Sequence, residues 1–455
     1  MLECSEAMPL NRSDIRTGLI LLALGCVLVV LYRAGVSASG VSGIRFFMKI
    51  AFAQSAIYLL AAWVVTRARP SNSILLLTIA LAVLFRLSIL FAPPYLSDDI
   101  YRYIWDGRVQ AAGINPYRYL PAAPELAQLR DDTIYPRMNR RDTAHTVYPP
   151  LAQVIFFLTT RISETVLWMK ITILIFEMLG IWAIAQLLNL LGRPRQFLLL
   201  YAWHPLVIWE FAGSGHVDAI SICFIALTFL ALLKHSKLGS GFLLACATLI
   251  KLFPLVLFPA LFKIERWRVA LTFAATIIAG YVAYLSVGLK AEFGSLPVYT
   301  QEMGLLTGQQ FYALSLAHKL FGVQLPSLAY VVAVVLVMSA LALWVLMRAA
   351  PSEESLKNGM LLATATTVLF TPHFSWYFCW LVFFLCFTPR AALFYLTIAN
   401  LILYATWLGD SPDDMFLINS LIYLPALLLA IVEFFRPHES NNATSLSRIS
   451  PSRSG

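Results

Sequence analysis

Between Ser97 and Arg108 the chain reads SDDIYRYIWDGR. Two adjacent carboxylates, Asp98 and Asp99, follow an apolar run that ends at Pro93-Pro94. A carboxylate there can take the proton from an attacking hydroxyl, and a second one beside it raises the pKa of one of the two. Arg102 and Arg108 have the fork geometry to hold a leaving phosphate by paired hydrogen bonds. Ser97 reads as an N-cap, with both acids in the first turn of a helix running to about Ala112, before Gly113. On that helix Asp98, Arg102 and Asp106 share one face, and Asp99 and Tyr103 a neighbouring one. The shared face favours Asp98 as the base. The plainer reading is that the acids satisfy the helix start, a stabilisation of about 0.3–1 kcal/mol. For Arg108 it is contact with lipid phosphates.

Further on, Lys251 sits within an apolar run, where a lysine costs about 2.5–3.5 kcal/mol unless it is paired or reaches a cavity. A place facing a phosphate fits it better than snorkelling, which needs a nearby helix end. Two polar islands, Gly215-His216-Val217-Asp218 and Thr371 to Tyr377, each coincide with a backbone break at Gly213/Gly215 or Pro372. His373 can donate to a phosphate oxygen. Tyr101, Trp105, Asp106, Tyr148, His216, Asp218, Trp376 and Tyr377 are the candidate substrate contacts. Trp376 and Tyr377 also fit an interfacial aromatic belt. Glu177 is left as structural, one inter-helix hydrogen bond being enough for it. Spacing does not gather His216, Asp218 and His373 into a metal set, so neither a metal nor a cofactor is expected.

The elements that must carry these residues are membrane helices. The chain is 60% hydrophobic and 13% charged, whereas soluble domains carry about 25% charged residues. Its mean hydropathy is +0.76. Backbone in lipid must be paired internally, so the apolar runs are helices and the fold class is all-α. The expected spans are 17–33, 45–66, 73–92, 165–191, 196–212, 217–233, 239–262, 269–289, 327–347, 358–371, 375–388, 391–408 and 415–435. Lys/Arg-rich short loops mark the cytoplasmic side and break strict alternation only around 239–262. A broken or re-entrant hairpin near Lys251 and Pro254 repairs it. Both termini are then cytoplasmic.

This arrangement divides the chain into N-terminal spans (1–92), an outer loop subdomain with an interfacial helix (93–164), a helical core (165–435) and a disordered tail (436–455). The outer loop holds seven arginines and seven acids between positions 93 and 150. Tyr148-Pro149-Pro150 leads rigidly into the interfacial helix, Leu151 to Thr160. A second outer loop, 290–326, contains Tyr299, Gln309, Gln310, Tyr312 and His318. No cleavable signal peptide is expected at the polar N-terminus. The scattered cysteines (Cys4, Cys26, Cys223, Cys246, Cys379 and Cys386) read as packing residues. The +9 charge signals orientation rather than nucleic-acid binding.

Five motifs in order, SDDIYRYIWDGRVQAAGINPYRY, VYPPLAQ, HPLVIWEFAGSGHVDAI, ATLIKLFPLVLFP and TPHFSWYFCW, resemble glycosyltransferases of the C superfold. The likeness covers roughly 70 to 435. It points to bacterial polyprenol-phosphate-mannose-dependent α-mannosyltransferases and glycosyltransferase family 87. Two extra spans ahead of the acidic loop depart from the usual pattern. The resemblance implies a hexose, mannose above all, moved with inversion from a polyprenyl-phosphate donor to a lipid or glycan acceptor. The site would face outward from the plasma (inner) membrane. It also implies that Asp98 or Asp99 is the base and that Lys251 and His373 lie near the donor phosphate. The rival readings are a lipid-linked sugar flippase or secondary transporter, disfavoured by the lack of repeated halves, and a non-catalytic assembly factor.

Overall fold

The computed structural model describes residues 12–37, 40–262, 267–288, 311–348, 354–409 and 411–436, without the side chains of 40–42 and 412. Both chain ends, Cys4, most of the 436–455 tail, and Tyr299, Gln309 and Gln310 of the second outer loop lie outside the described residues. The described chain is helical, with no strand. Among the described residues, seven helices have the length and apolarity to cross a membrane: Arg12–Val36, Gly43–Arg67, Asn72–Leu90, Val166–Leu190, Ser327–Met347, Ala391–Leu408 and Asp413–Phe435. Other expected spans appear as shorter pieces such as Asp218–Leu233, Trp267–Val282 and Glu354–Phe370. Sixteen helical residues rise only about 24 Å, less than a hydrocarbon core. The Asp218–Leu233 piece is almost wholly buried among other helices, which relieves it of the need to span lipid alone.

Helices α1 (Arg12–Val36), α2 (Gly40–Arg67) and α3 (Asn72–Leu90) pack together, and α6 (Val166–Leu190) lies along Asp218–Leu233. Inside the bundle Arg86 of α3 donates to both oxygens of Glu177 on α6, Nε at 2.8 Å. Glu177 is thus held by an ion pair rather than a single hydrogen bond.

The expected 196–212 span is not one helix. Pro205 removes an amide donor and breaks it after Trp203. The carbonyls so released find side chains: Tyr58 donates to Leu200 at 2.7 Å and Arg86 to Ala202 at 2.8 Å. The stretch then ends in a π-helical turn, Trp209–Gly213, and Gly215 adopts a left-handed φ of 78°.

The chain also breaks at Lys251, as the charge pattern predicts. Helix Lys237–Thr248 stops and a 3₁₀ turn, Phe253–Leu257, starts with Pro254 near its head. The freed carbonyl of Leu249 accepts the amides of Leu151 and Ala152 at 3.0 and 3.2 Å. These belong to the first turn of α5 (Pro150–Ile162), where helix amides lack partners of their own. α5 turns Val154, Leu158 and Ile162 outward at four-residue spacing, an apolar stripe suited to an interface.

Between α3 and α5 runs the charged loop, built on α4 (Asp99–Ala111). Tyr103 of α4 stacks on Phe156 of α5, centroids 4.6 Å apart. The helices approach so closely at Gly107 that a Cβ there would lie 2.6 Å from the Phe156 carbonyl oxygen.

Candidate active site

A cavity of about 630 Å³ opens between this loop and the two helix breaks. The loop contributes Pro94 to Asp99, Tyr117, Asn139, Arg140 and Tyr148, and the breaks contribute Lys251 to Phe253 with Phe374, Trp376 and Tyr377. Tyr281 and Trp407 complete an aromatic wall.

At the acidic end, α4 begins at Asp99, so Asp98 takes the N-cap position that the sequence assigns to Ser97. The Ser97 hydroxyl accepts the Asp99 amide at 3.2 Å, while the Asp98 side chain caps nothing. Both carboxylates instead accept from one amide: Asn139 Nδ2 lies 2.8 Å from Oδ1 of each. Two acids aimed at one donor beside open space are not serving the helix start. Burial raises the pKa of Asp98, the Asn139 bond lowers it, and the charge of Asp99 raises it; the net direction is up.

Beneath Asp99 lies His216, 1% exposed and stacked on Trp376 at 4.2 Å. Its Nδ1 stands 3.9 Å from Asp99 Oδ2 and its Nε2 3.4 Å from Glu210 Oε2. Burial pushes the imidazole down to about 4, so the ring is neutral at physiological pH. Glu210 is fully buried in the π turn, and its other oxygen accepts from the Tyr404 hydroxyl. Lys251 Nζ, on the same cavity wall, pairs with Asp218 at 2.7 Å and lies 4.8 Å over the Tyr377 ring.

The sequence-nominated residues therefore separate. Asp98, Asp99, Tyr148, Lys251, Trp376 and Tyr377 line the cavity, and His216 and Asp218 contact its lining. Arg102 does not line it: Nε is held by Asp106 at 2.8 Å, and both terminal nitrogens donate to the Ala144 carbonyl. Asp106 is equally committed, accepting from Arg102, Thr146 and Gln153. Arg108 clamps the loop by pairing with Glu164 and Asp131 at 2.8 and 2.9 Å and donating to the Leu129 carbonyl. Tyr101 and Trp105 are buried, the latter tilted against Tyr135. His373 is half-buried next to the lining residue Phe374 without lining the cavity itself.

Asn139, Arg140, Glu210 and Tyr404 escaped the sequence reading. For Glu210 a signal existed, since an acid in an apolar run is expensive wherever it falls. Asn139 gave none, because its partners lie some forty positions away.

A bundle of long apolar helices under a folded charged loop, with paired acids and a lysine around one aromatic cavity, defines a polytopic membrane protein with an enzyme-like site. The chain belongs to the MptA_B family, matching its alpha-(1->6)-mannopyranosyltransferase N-terminal domain over residues 17–265, more than half its length. It is thus a membrane protein of a mannosyltransferase family. No curated protein and no solved structure matches it.

Proposed function

We propose that the chain moves mannose from a polyprenyl-phosphate donor to an acceptor hydroxyl on the extracytoplasmic face of the plasma membrane, inverting the anomeric carbon. The observation that carries this reading is one cavity whose lining brings together the carboxylates of Asp98 and Asp99, Lys251 and several aromatic rings. Asp99 is the base. The preference for Asp98 rested on a face shared with Arg102, and that arginine is spent on Asp106 and Ala144. Asp99 takes the hydroxyl proton as the acceptor oxygen bonds to the anomeric carbon. The bond from that carbon to the phosphate oxygen breaks on the opposite face, and its electrons leave with the phosphate. Lys251 supplies positive charge to that leaving group, and His373, next in sequence to the lining residue Phe374, is assigned to assist it. The aromatic wall suits the flat faces of a sugar and the first isoprene units.

The test is transfer by purified protein from polyprenyl-phosphate mannose, with nucleotide-linked mannose as the control donor. Asp99→Asn should retain folding and donor binding and lose about 10²–10⁴ in turnover, the usual share of general base catalysis. Asp98→Asn should chiefly change apparent affinity. Near-normal transfer by both variants removes the catalytic reading of the acidic pair.

A further inference from the structure

Glu210 and His216 are more than core residues. Glu210 is 0% exposed, held in a π-helical turn whose extra residue reorients its side chain. The groups within its reach are the Tyr404 hydroxyl on Oε1 and the His216 ring on Oε2. His216 in turn has Glu210 at one ring nitrogen and Asp99 at the other. Its backbone amide donates to the Glu210 carbonyl at 2.9 Å, and Trp376 covers its face. Neither ring contact is closed into a hydrogen bond, and Trp376 limits the tilt of the ring between the two acids.

We propose that His216 is a positioning residue for Asp99, its tautomer dictated by a protonated Glu210. Counting donors leads there. A fully buried acid is best accommodated neutral, as carboxyl with its own O–H. Tyr404 already donates to Oε1, so the carboxyl proton sits on Oε2 and points to His216 Nε2. That nitrogen then accepts, and the single N–H of the neutral ring falls on Nδ1, facing the Asp99 carboxylate. The 3.9 Å gap exceeds a hydrogen bond, as such pairs commonly do before substrate fills a site. The consequence is an Asp99 whose Oδ1 is held by Asn139 and whose Oδ2 faces the His216 N–H, each oxygen keeping a further lone pair for the acceptor hydroxyl. Beyond these groups, the charges facing His216 are Asp218 and Lys251, paired at 2.7 Å and acting on the ring in opposite directions.

The role assigned to Asp99 comes from the function proposed above, so one arm of the test needs no substrate. In that arm the resting protein is labelled with an apolar carbodiimide across a pH series, and modification of Asp99 is read by mass spectrometry. His216→Phe keeps a ring on Trp376 but has no donor, and should move the Asp99 midpoint up by about one pH unit. His216→Asn, whose amide stands near the Nδ1 position, should restore it. The second arm measures mannose transfer. Glu210→Gln still offers an N–H to His216 Nε2 and should keep kcat and its pH profile within about threefold. Glu210→Met should lose about tenfold in kcat with KM unchanged, the worth of one hydrogen bond to a charged group.

An Asp99 midpoint that is the same in wild type and in both His216 variants overturns the proposal. So does a Glu210→Gln enzyme as impaired as Glu210→Met, which would mean that the negative charge of Glu210 matters rather than its proton. A midpoint that shifts in His216→Phe, in a protein whose wild type transfers no mannose, would leave the coupling standing and remove the function. Should His216→Phe fail to fold, the His216→Asn and Glu210 variants decide alone.

Discussion

Replacing Asn139 by alanine should move the acidic limb of the pH–rate profile upward, because both carboxylates lean on this one amide. Each accepts a single N–H from Nδ2 at 2.8 Å, so the substitution takes one charge-assisted bond from each. Such bonds contribute about 1.5–3 kcal/mol in favour of the ionised acid, and a cavity open to water argues for the low end. One pKa unit corresponds to 1.36 kcal/mol, so the limb should rise by about one pH unit. The sign is fixed, since the bond stabilises the charged form and its loss makes the proton harder to remove. Burial and the charge of Asp99 already raise the Asp98 carboxyl, and the Asn139 amide opposes them. Turnover well above the limb should change little, and turnover on the limb should fall about tenfold. Asn139→Asp adds a third acid and should carry the limb higher still. The assay is mannose transfer at saturating donor from about pH 4.5 to 8.5. A mutant-to-wild-type ratio constant across that range refutes the argument and leaves Asn139 as a loop-packing residue.

Lys251→Ala should raise KM for the lipid-phosphate donor at least tenfold with little effect on acceptor KM; equal effects on both would reduce the lysine to a structural partner of Asp218. Arg86→Leu should destabilise the bundle by about 3–5 kcal/mol by stranding Glu177, and Arg86→Leu with Glu177→Leu should recover most of it, read as unfolding temperature in detergent. Gly107→Ala should separate α4 from α5 and expose the outer loop to limited proteolysis, since its Cβ meets the Phe156 carbonyl. A cysteine at exposed Ala127, with Cys4 and the exposed Cys26 replaced, should react with an impermeant thiol reagent on intact cells; labelling only after lysis would reverse the proposed topology.

Much of this architecture is legible in the chain because apolar runs and their interruptions report directly on lipid and backbone. Gly215, Lys251 and Pro372 each mark a place where a regular helix is impossible or a charge needs a partner, and each falls at a break, whereas the break at Pro205 was passed over inside the 196–212 run. The acidic pair was legible for the same reason. Spacing failed with Arg102, Asp106 and Arg108. A four-residue interval shows that Arg102 and Asp106 share a face, but not whether that face meets the cavity or the loop interior. The answer depends on Ala144, Thr146 and Gln153, residues with which they have no sequence relation. Asn139 was invisible for want of any local pattern, and Glu210 was missed because its apolar surroundings looked like ordinary span.

The bond from the α5 amides to the Leu249 carbonyl has a consequence for the order in which the molecule is made. Leu151 and Ala152 leave the ribosome about a hundred residues ahead of their acceptor. The aromatic wall at Phe374 to Trp407 arrives later still. Domains generally fold as they emerge, from the N-terminus onward. Here the charged loop is made early but waits, incompletely anchored, until the Lys251 break has been synthesised and has come to rest against it. The interval between those two events is when this chain is most exposed to quality-control proteases. Nascent chains stalled before residue 249 should lose the loop to them, and chains stalled beyond it should begin to be protected.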